Sequence, residues 1–467
     1  MSDFKLLIDG ALVDGASTMD VINPANEEVI AESPRANRDQ LNAAVAAANR
    51  AFPAWSQMPL KERRAYILRF ADALEAQSGD LARQLTQEQG KPLSESEIEI
   101  EASLLFLRNI AAYDLPSRII EDNAERRVEM LRRPLGVVAG IIPWNFPLLI
   151  ACYKTVMALL PGNTMIIKPA PTTPLTTLMA GAIMAEIFPA GVVNIITDAN
   201  DLGTAITAHP DIAKVSFTGS TATGKKIMAS VADTLKRLTL ELGGNDAAIV
   251  LSDVDLKQTA AGIFDGAFTN AGQICIAIKR VYAHESIYDA LCDELARLAD
   301  EAVVDDGMRQ GTRIGPLQNK VQYDKVKAYL DIAKQDGKVI SGGDVREGKG
   351  YFIRPTIVRD IGQESRLVRE EQFGPILPII RFSETDAVIE QANGTEYGLA
   401  GSVWSGDRDV AYGLARRMDS GTIWINKHLD FGPNIPFAGA KESGIGVEWG
   451  EEGLHEFTQI QIINEAR

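Results

Sequence analysis

Two periodicities alternate along this chain. From residue 38 to 110, apolar residues recur at helical spacing. Ala44, Ala47, Ala48 and Phe52 share one face, and so do Ile67, Phe70, Ala71 and Leu74. The pattern predicts a run of amphipathic helices, with Asp39, Asp80 and Ser94 as N-caps. Ahead of it, residues 4–22 read as short strands around a turn at Asp14-Gly15. Beyond it the texture changes. Apolar runs at 136–142, 164–167, 192–196, 214–217 and 247–251 alternate with helical stretches at 148–160, 175–188, 201–209 and 223–233. Such alternation implies a parallel sheet with helices on both faces. A second α/β stretch runs from 255 to about 430. Its helical patterns lie at 287–302, 320–335 and 409–418, and its strands include 338–341, 376–381 and 421–426. Residues 126–133 alternate weakly with polar residues on both faces. That suits an exposed hairpin arm and not a central strand. The tail 457–463 alternates strongly and reads as one half-buried strand. Neither an internal repeat nor a low-complexity linker appears, so ordered crossings must join the domains.

The chain has 467 residues, too many for one core of ordinary size, so two or three domains are expected. Hydrophobic content of 46% with 24% charged residues fits a globular protein and argues against disorder. A net charge of −16 argues against nucleic acid and against anionic membrane surfaces as partners. The three cysteines, Cys152, Cys275 and Cys292, are an odd and sparse set without CxxC spacing. They point to a reducing, cytoplasmic setting and not to a disulfide framework. The start, Met1-Ser2-Asp3-Phe4-Lys5, lacks the pattern of a signal peptide. The most apolar stretch, 137–150, is broken by Pro143, Asn145 and Pro147 and is too short to span a bilayer. His209, His284, His428 and His455 are scattered without metal-ligand spacing, so no metal is expected.

A few short segments carry candidate chemistry. Cys275 ends Asn270-Ala271-Gly272-Gln273-Ile274-Cys275. An isolated cysteine is more often a small buried hydrophobe, but Ala271 and Gly272 leave room for a ligand to approach. Glu241 ends an apolar strand just before Leu242-Gly243-Gly244. A strand-end carboxylate is often mere surface. A general base needs mobility and a partly desolvated place, which adjacent glycines allow. Thiol and carboxylate together are the parts for a covalent thiohemiacetal and for hydrolysis of the following thioester. Asn145, within Pro143-Trp144-Asn145-Phe146-Pro147, reads blandly as a turn asparagine. Its amide can equally hold an oxyanion. Thr218-Gly219-Ser220 closes another strand, and Gly224 follows in the first turn of a helix. The glycines permit close approach of backbone to a pyrophosphate, and the helix start offers free N–H groups. The spacing is G-x-x-x-x-G, and the competing reading is an ordinary strand-to-helix turn. Cys152 and Cys292 sit on helical patterns and read as structural.

Together these segments resemble the aldehyde dehydrogenase superfamily, of the NAD(P)-dependent, non-acylating, bacterial type, over nearly the whole chain. The resemblance implies an α/β fold: a parallel-sheet dinucleotide-binding domain (1–115 and 135–243), a catalytic α/β domain (244–429), and a small β oligomerisation arm (116–134 and 450–467). A return segment, 430–449, would line the substrate tunnel. Cys275 would be the nucleophile, Asn145 and the Cys275 N–H the oxyanion hole, and Glu241 the base that activates the hydrolytic water. Acyl-transferring relatives generally lack that glutamate. Lys154 falls at a family position nine residues after Asn145. Glu448 resembles a residue proposed to relay protons. Ile142, Pro143, Trp144, Lys168, Pro171, Gly203, Thr218, Gly219, Ser220, Gly224, Leu242 and Gly243 would meet the cofactor, with Ser220 at a phosphate oxygen and Lys168 at the adenine ribose. In Glu370-Glu371-Gln372-Phe373-Gly374-Pro375, Glu371 would bind the nicotinamide ribose and Phe373 would pack on the nicotinamide. Many NAD-preferring members carry a glutamate where this chain has Pro171, so the element that repels a 2′-phosphate is missing. NAD is favoured, with NADP possible. Asn245-Asp246 departs from the family's usual Lys-x-Pro, and its role is not evident. Phe146, Ile150, Tyr153, Ile274, Ile276 and Phe437 would line the tunnel. Being mostly apolar or aromatic, they suit an uncharged aliphatic or aromatic aldehyde better than a semialdehyde of a dicarboxylic acid. An acylating or phosphate-reducing enzyme of the same fold and a catalytically silent binding protein are the competing readings. The arm's open strand edges imply a homodimer or homotetramer.

Overall fold

The computed structural model describes residues 4–467. The first three residues, which bear on the signal-peptide reading, lie outside that range. Eight strands form one sheet, in spatial order Ala11–Val13, Leu6–Ile8, Val193–Ile195, Thr164–Lys168, Val137–Ile141, Lys214–Thr218, Arg237–Glu241 and Gly444–Ile445. The five strands from Val193–Ile195 to Arg237–Glu241 are mutually parallel. Val137–Ile141 and Thr164–Lys168 are buried at every position, as strands covered by helices on both faces must be. From Val137–Ile141 the chain moves outward through two strands on one side and later returns to add Lys214–Thr218 on the other. This reversal of strand order opens a crevice at the carboxyl ends of Val137–Ile141 and Lys214–Thr218, where doubly wound sheets bind ligands.

The second sheet has seven strands: Lys338–Ser341, Thr356–Arg359, Ile376–Phe382, Ile278–His284, Asp246–Val250, Ala400–Trp404 and Thr422–Ile425. All of its pairings are parallel except the first. Only four residues, Leu242 to Asn245, separate the last parallel strand of the first sheet from Asp246–Val250 of the second. Each sheet has its own apolar core.

The helices Arg38–Gln57, Leu60–Glu75, Ser78–Gln89 and Leu93–Ala111 bear out the periodicity of that region. Their N-caps differ from expectation. Asn37 caps the first helix in a reciprocal capping box with Gln40, while Asp39, Asp80 and Ser94 lie inside the first turns. The first hairpin turns at Asp9-Gly10, both left-handed, and not at Asp14-Gly15. Arg126–Pro134 forms the expected exposed hairpin with Arg118–Asp122, but it also pairs on its other edge with Thr458–Ala466, so within that arm it is the middle of three strands. Polar alternation reported its exposed faces, which say nothing about its edges. Thr458–Ala466 is exposed at every residue after the first, so it is not half-buried in the single chain.

Candidate active site

The crevice at the strand reversal is built by the loops its geometry selects. Pro143 and Trp144 follow the strand Val137–Ile141. Thr218, Gly219 and Ser220 close Lys214–Thr218. Both groups line two adjoining cavities, of about 740 Å³ and about 880 Å³. Asn145, Glu241 and Cys275 all line the first.

Cys275 precedes the strand Ile278–His284 on a loop of unusual backbone. Asn270, Ala271 and Gly272 are successively left-handed, at φ 51°, 53° and 74°. Buried hydrogen bonds hold this conformation. The Asn270 N–H donates to Glu95 at 2.9 Å, Gln89 Nε2 donates to Asn270 Oδ1 at 3.0 Å, and Asn270 Nδ2 donates to the Asn145 carbonyl at 3.1 Å. Gly272 does not make room for a ligand, as its smallness suggested. A Cβ there would lie 2.6 Å from the Gly374 carbonyl, so a second chain segment fills the space.

Asn145 is fixed from the other side. Its carbonyl accepts from Lys91 Nζ at 2.8 Å, and Lys91 pairs with Glu99 at 2.6 Å. Glu99 in turn accepts the N–H groups of Leu148 and Leu149, the free donors at the start of helix Pro147–Leu159. One proton of Asn145 Nδ2 goes to the Gln273 carbonyl at 3.0 Å, which leaves the other for a ligand. The bond runs to another loop and not to the turn's own backbone. Nothing in the local sequence marks Lys91, Glu99 or Gln89, because the loop groups they hold lie 49 to 181 residues away.

Glu241 is buried in the same cavity wall as Cys275. Burial pushes its carboxyl up to about 8, against the opposing pull of the thiol and of Lys154. Its Oε1 has no partner. The thiol is raised well above its ordinary value, by burial first and then by the Glu241 carboxylate. Gly244 lets the two loops meet, since a Cβ on it would lie 2.4 Å from the Cys275 carbonyl. Lys154 lies behind the cavity wall. Its ammonium bonds Ser216 Oγ at 2.7 Å and pairs with buried Glu448. The other two cysteines are buried on helices, and burial raises both thiols, Cys292 to about 12.

The expected tunnel residues, Phe146, Ile150, Tyr153, Ile274, Ile276 and Phe437, all line the first cavity. Sequence reasoning did not single out Phe431 and Trp449, which also line it; Trp449 stacks on both Phe431 and Phe437. Leu242, Gly243, Glu371 and Phe373 line the same cavity, and Glu371 accepts the Gly244 N–H at 3.0 Å. Ile142, Lys168, Pro171 and Gly203 line the second. Lys168 pairs there with buried Asp198 at 2.7 Å and bonds Asn200 at 3.1 Å. Gly224 lies in neither cavity. It packs on Leu242, where a Cβ would come within 2.5 Å of that side chain. Ser220 caps helix Thr221–Val231, accepting the Thr223 N–H at 3.3 Å. A dinucleotide fits this cradle: Thr218 Oγ1 is buried without a partner, and the exposed helix start and the Glu371 carboxylate offer a donor and an acceptor end. Among the described residues no cluster of His, Cys, Asp or Glu could hold a metal, and no helix is long and apolar enough to cross a membrane.

Known proteins share this fold. The model of the aldehyde dehydrogenase family matches residues 12–463. The chain is 38% identical to phenylacetaldehyde dehydrogenase of Pseudomonas fluorescens, over 98% of this chain and 95% of that one. It is 36% identical to the succinate-semialdehyde dehydrogenase (NADP(+)) GabD of Escherichia coli, over 98% and 97%. The NAD+ complex structure of aldehyde dehydrogenase from Bacillus cereus superposes with a TM-score of 0.97 at 36% identity, covering 100% of this chain and 97% of that one. With a matched family model spanning nearly its whole length and a fold shared at this level, the chain belongs to the aldehyde dehydrogenase family and is an NAD(P)-dependent enzyme.

Proposed function

We propose that the protein oxidises an uncharged aliphatic or aromatic aldehyde to its carboxylic acid, with Cys275 as nucleophile and Glu241 as base. The observation that carries this reading is that the Cys275 thiol, the Glu241 carboxyl and the Asn145 amide line one cavity, with Glu241 buried and one of its oxygens without a partner. The Cys275 thiol first gives up its proton to solvent, which leaves Glu241 free as a base. The sulfur adds to the carbonyl carbon, and the electron pair of the C=O bond moves to oxygen. The free proton of Asn145 Nδ2 and the Cys275 N–H hold that oxyanion. The dinucleotide, when bound, supplies the hydride acceptor. Loss of hydride from the thiohemiacetal leaves a thioester on Cys275. Glu241 then deprotonates a water, whose oxygen displaces the thiolate and releases the acid.

Glu371 and Phe373 lie where they can orient the nicotinamide end, and Lys168, Ser220 and Gly219 the adenosine and phosphate end. NAD is favoured, because Asp198 adds a buried negative charge beside Lys168 where Pro171 supplies none; NADP is the second reading. Phe431, Phe437 and Trp449 wall the cavity with aromatic surface. Of its two lysines, Lys427 is paired with Asp430 and Lys325 donates to the Glu371 carbonyl, which disfavours a second substrate carboxylate. We assign residues 1–115 with 135–243 to cofactor binding, 244–429 to catalysis, 430–449 to the tunnel, and 116–134 with 450–467 to assembly as a homodimer or homotetramer. Ile119, Ile120, Ile460, Ile462 and Ile463 are exposed on that arm.

A panel of straight-chain, aromatic and semialdehyde substrates, each with NAD or NADP and with or without coenzyme A, tests the reading. Turnover of uncharged aldehydes without coenzyme A, lost in Cys275→Ala, is expected. Best turnover of a semialdehyde would overturn the substrate class, and coenzyme A dependence would overturn hydrolysis.

A further inference from the structure

Among the described residues five lysines are buried; Lys214 stands at the amino end of its strand, bonded to the Thr239 hydroxyl and without an ion pair, and the other four surround the cofactor and nucleophile loops. Of these four, one differs from the rest. Lys91 pairs with Glu99, Lys154 with Glu448 and Lys168 with Asp198. Lys279 is equally buried, yet among the described residues no carboxylate reaches it within ion-pair distance. Its Nζ donates to the carbonyl of Ile274 and, at 3.2 Å, to that of Ala277. These carbonyls stand on either side of Cys275 in the chain. A buried ammonium bonded only to neutral oxygens is costly unless a counter-charge forms nearby. The thiolate of the loop it anchors is such a charge.

Other groups bear on this pair from every side. Glu371 and Asp246 act on Lys279 at longer range, as does Lys325 with the opposite sign. Burial pushes Asp246 up to about 7, which weakens it as a counter-ion at neutral pH, and burial raises Glu371 as well. Buried His428, lowered to about 3 by burial, stays neutral. Glu241 opposes ionisation of the thiol, and Lys279 favours it. Asp246 stands at the position whose departure from the family pattern had no evident role. One of its carboxylate oxygens accepts the Ala400 N–H at 3.1 Å, and the other makes no hydrogen bond.

We propose that Lys279 is a positioning residue for Cys275: it clamps the carbonyls flanking the cysteine and supplies the positive charge against which the thiolate forms. This rests on the reading of Cys275 as nucleophile. The test follows alkylation of Cys275 by iodoacetamide in the full-length protein from about pH 6 to about pH 10. Mass spectrometry locates the label, Cys275→Ala serves as the blank, and melting temperature is read in parallel. Lys279→Gln keeps an N–H donor for the carbonyls but loses the charge, Lys279→Met loses both, and Lys279→Arg keeps the charge. At each pH the rate of alkylation is expected to fall about tenfold in the Gln and Met variants and to stay near wild type in Arg. A Gln variant with the wild-type rate throughout would overturn the proposal and leave only a clamp. If the Met variant fails to fold, Gln and Arg decide. Absence of Cys275 alkylation in the wild type at every pH would instead overturn the nucleophile reading itself.

Discussion

The loop 270–275 and the turn 218–224 frame the same cavity and are held in opposite ways. The first is buried and has left-handed φ at three successive residues, which costs about 1–2 kcal/mol at each non-glycine position. Bonds from Glu95, Gln89, Asn145 and Gln273 repay that cost. The second is a helix start with an exposed cap, in which the Ser220 hydroxyl bonds only Thr223, accepting its N–H at 3.3 Å and donating to its hydroxyl at 3.0 Å, and a buried Thr218 hydroxyl has no partner. One loop is over-determined because it must fix a sulfur atom. The other keeps donors unspent because a ligand must use them. Variants that break the first should therefore cost far more catalysis than variants that break the second.

The largest effects fall on the reacting groups. Cys275→Ala should abolish turnover. Glu241→Gln should lower steady-state turnover by roughly 10²–10⁴-fold. It should still release one burst of reduced cofactor per site, because acylation would outrun hydrolysis. A missing burst with a surviving slow rate would place Glu241 in the first half of the reaction alone. Asn145→Ala comes next, at roughly 10²–10³-fold in turnover. A loss confined to KM would mean that the amide binds substrate without stabilising the oxyanion.

How much of this was legible in the chain depends on the range of the interactions. The buried parallel strands announce themselves as unbroken apolar runs, and the short motifs carry the reacting residues. The strand Ile278–His284 is central to the second sheet but does not stand out, because Lys279 and Arg280 interrupt its apolar run. Both charges are buried and bonded to backbone carbonyls, a solution visible only in three dimensions. Arg126–Pro134 hid its central place for a related reason, since one of its partners, Thr458–Ala466, lies over three hundred residues away. The clamp on Asn145 through Lys91 and Glu99 was invisible for want of any local signal. What the sequence displays is therefore the set of reacting groups, and what it conceals is the set of groups that hold them still.

A smaller effect concerns pH. Glu241 is raised to about 8 in the folded protein from an ordinary value near 4.5. The folded state thus binds a proton that the unfolded state has released. Its contribution to stability is fully present below the unfolded value and is lost as pH rises through about 8. Turnover limited by hydrolysis should move the other way, rising through about 8 as the base form appears. The melting temperature should fall between about pH 6 and about pH 8.5, and by less in Glu241→Gln. An equal fall in the variant would assign the change to Asp246, Glu88 and Glu95, whose carboxyls are raised to about 7.

The smallest effect belongs to the exposed turn. Ser220→Ala removes the one side-chain cap of helix Thr221–Val231, worth about 1 kcal/mol of local stability. The backbone N–H groups at the helix start survive the substitution, so the cofactor keeps most of its donors. Cofactor KM should rise a few-fold while turnover at saturating cofactor stays near wild type, because Asn145, Glu241 and Cys275 are untouched. Steady-state kinetics with varied cofactor measures both. A fall in turnover as deep as that of Asn145→Ala would mean that Ser220 takes part in holding the reacting end. The two loops would then no longer differ in kind, and the turn would belong to the fixed machinery despite its exposure.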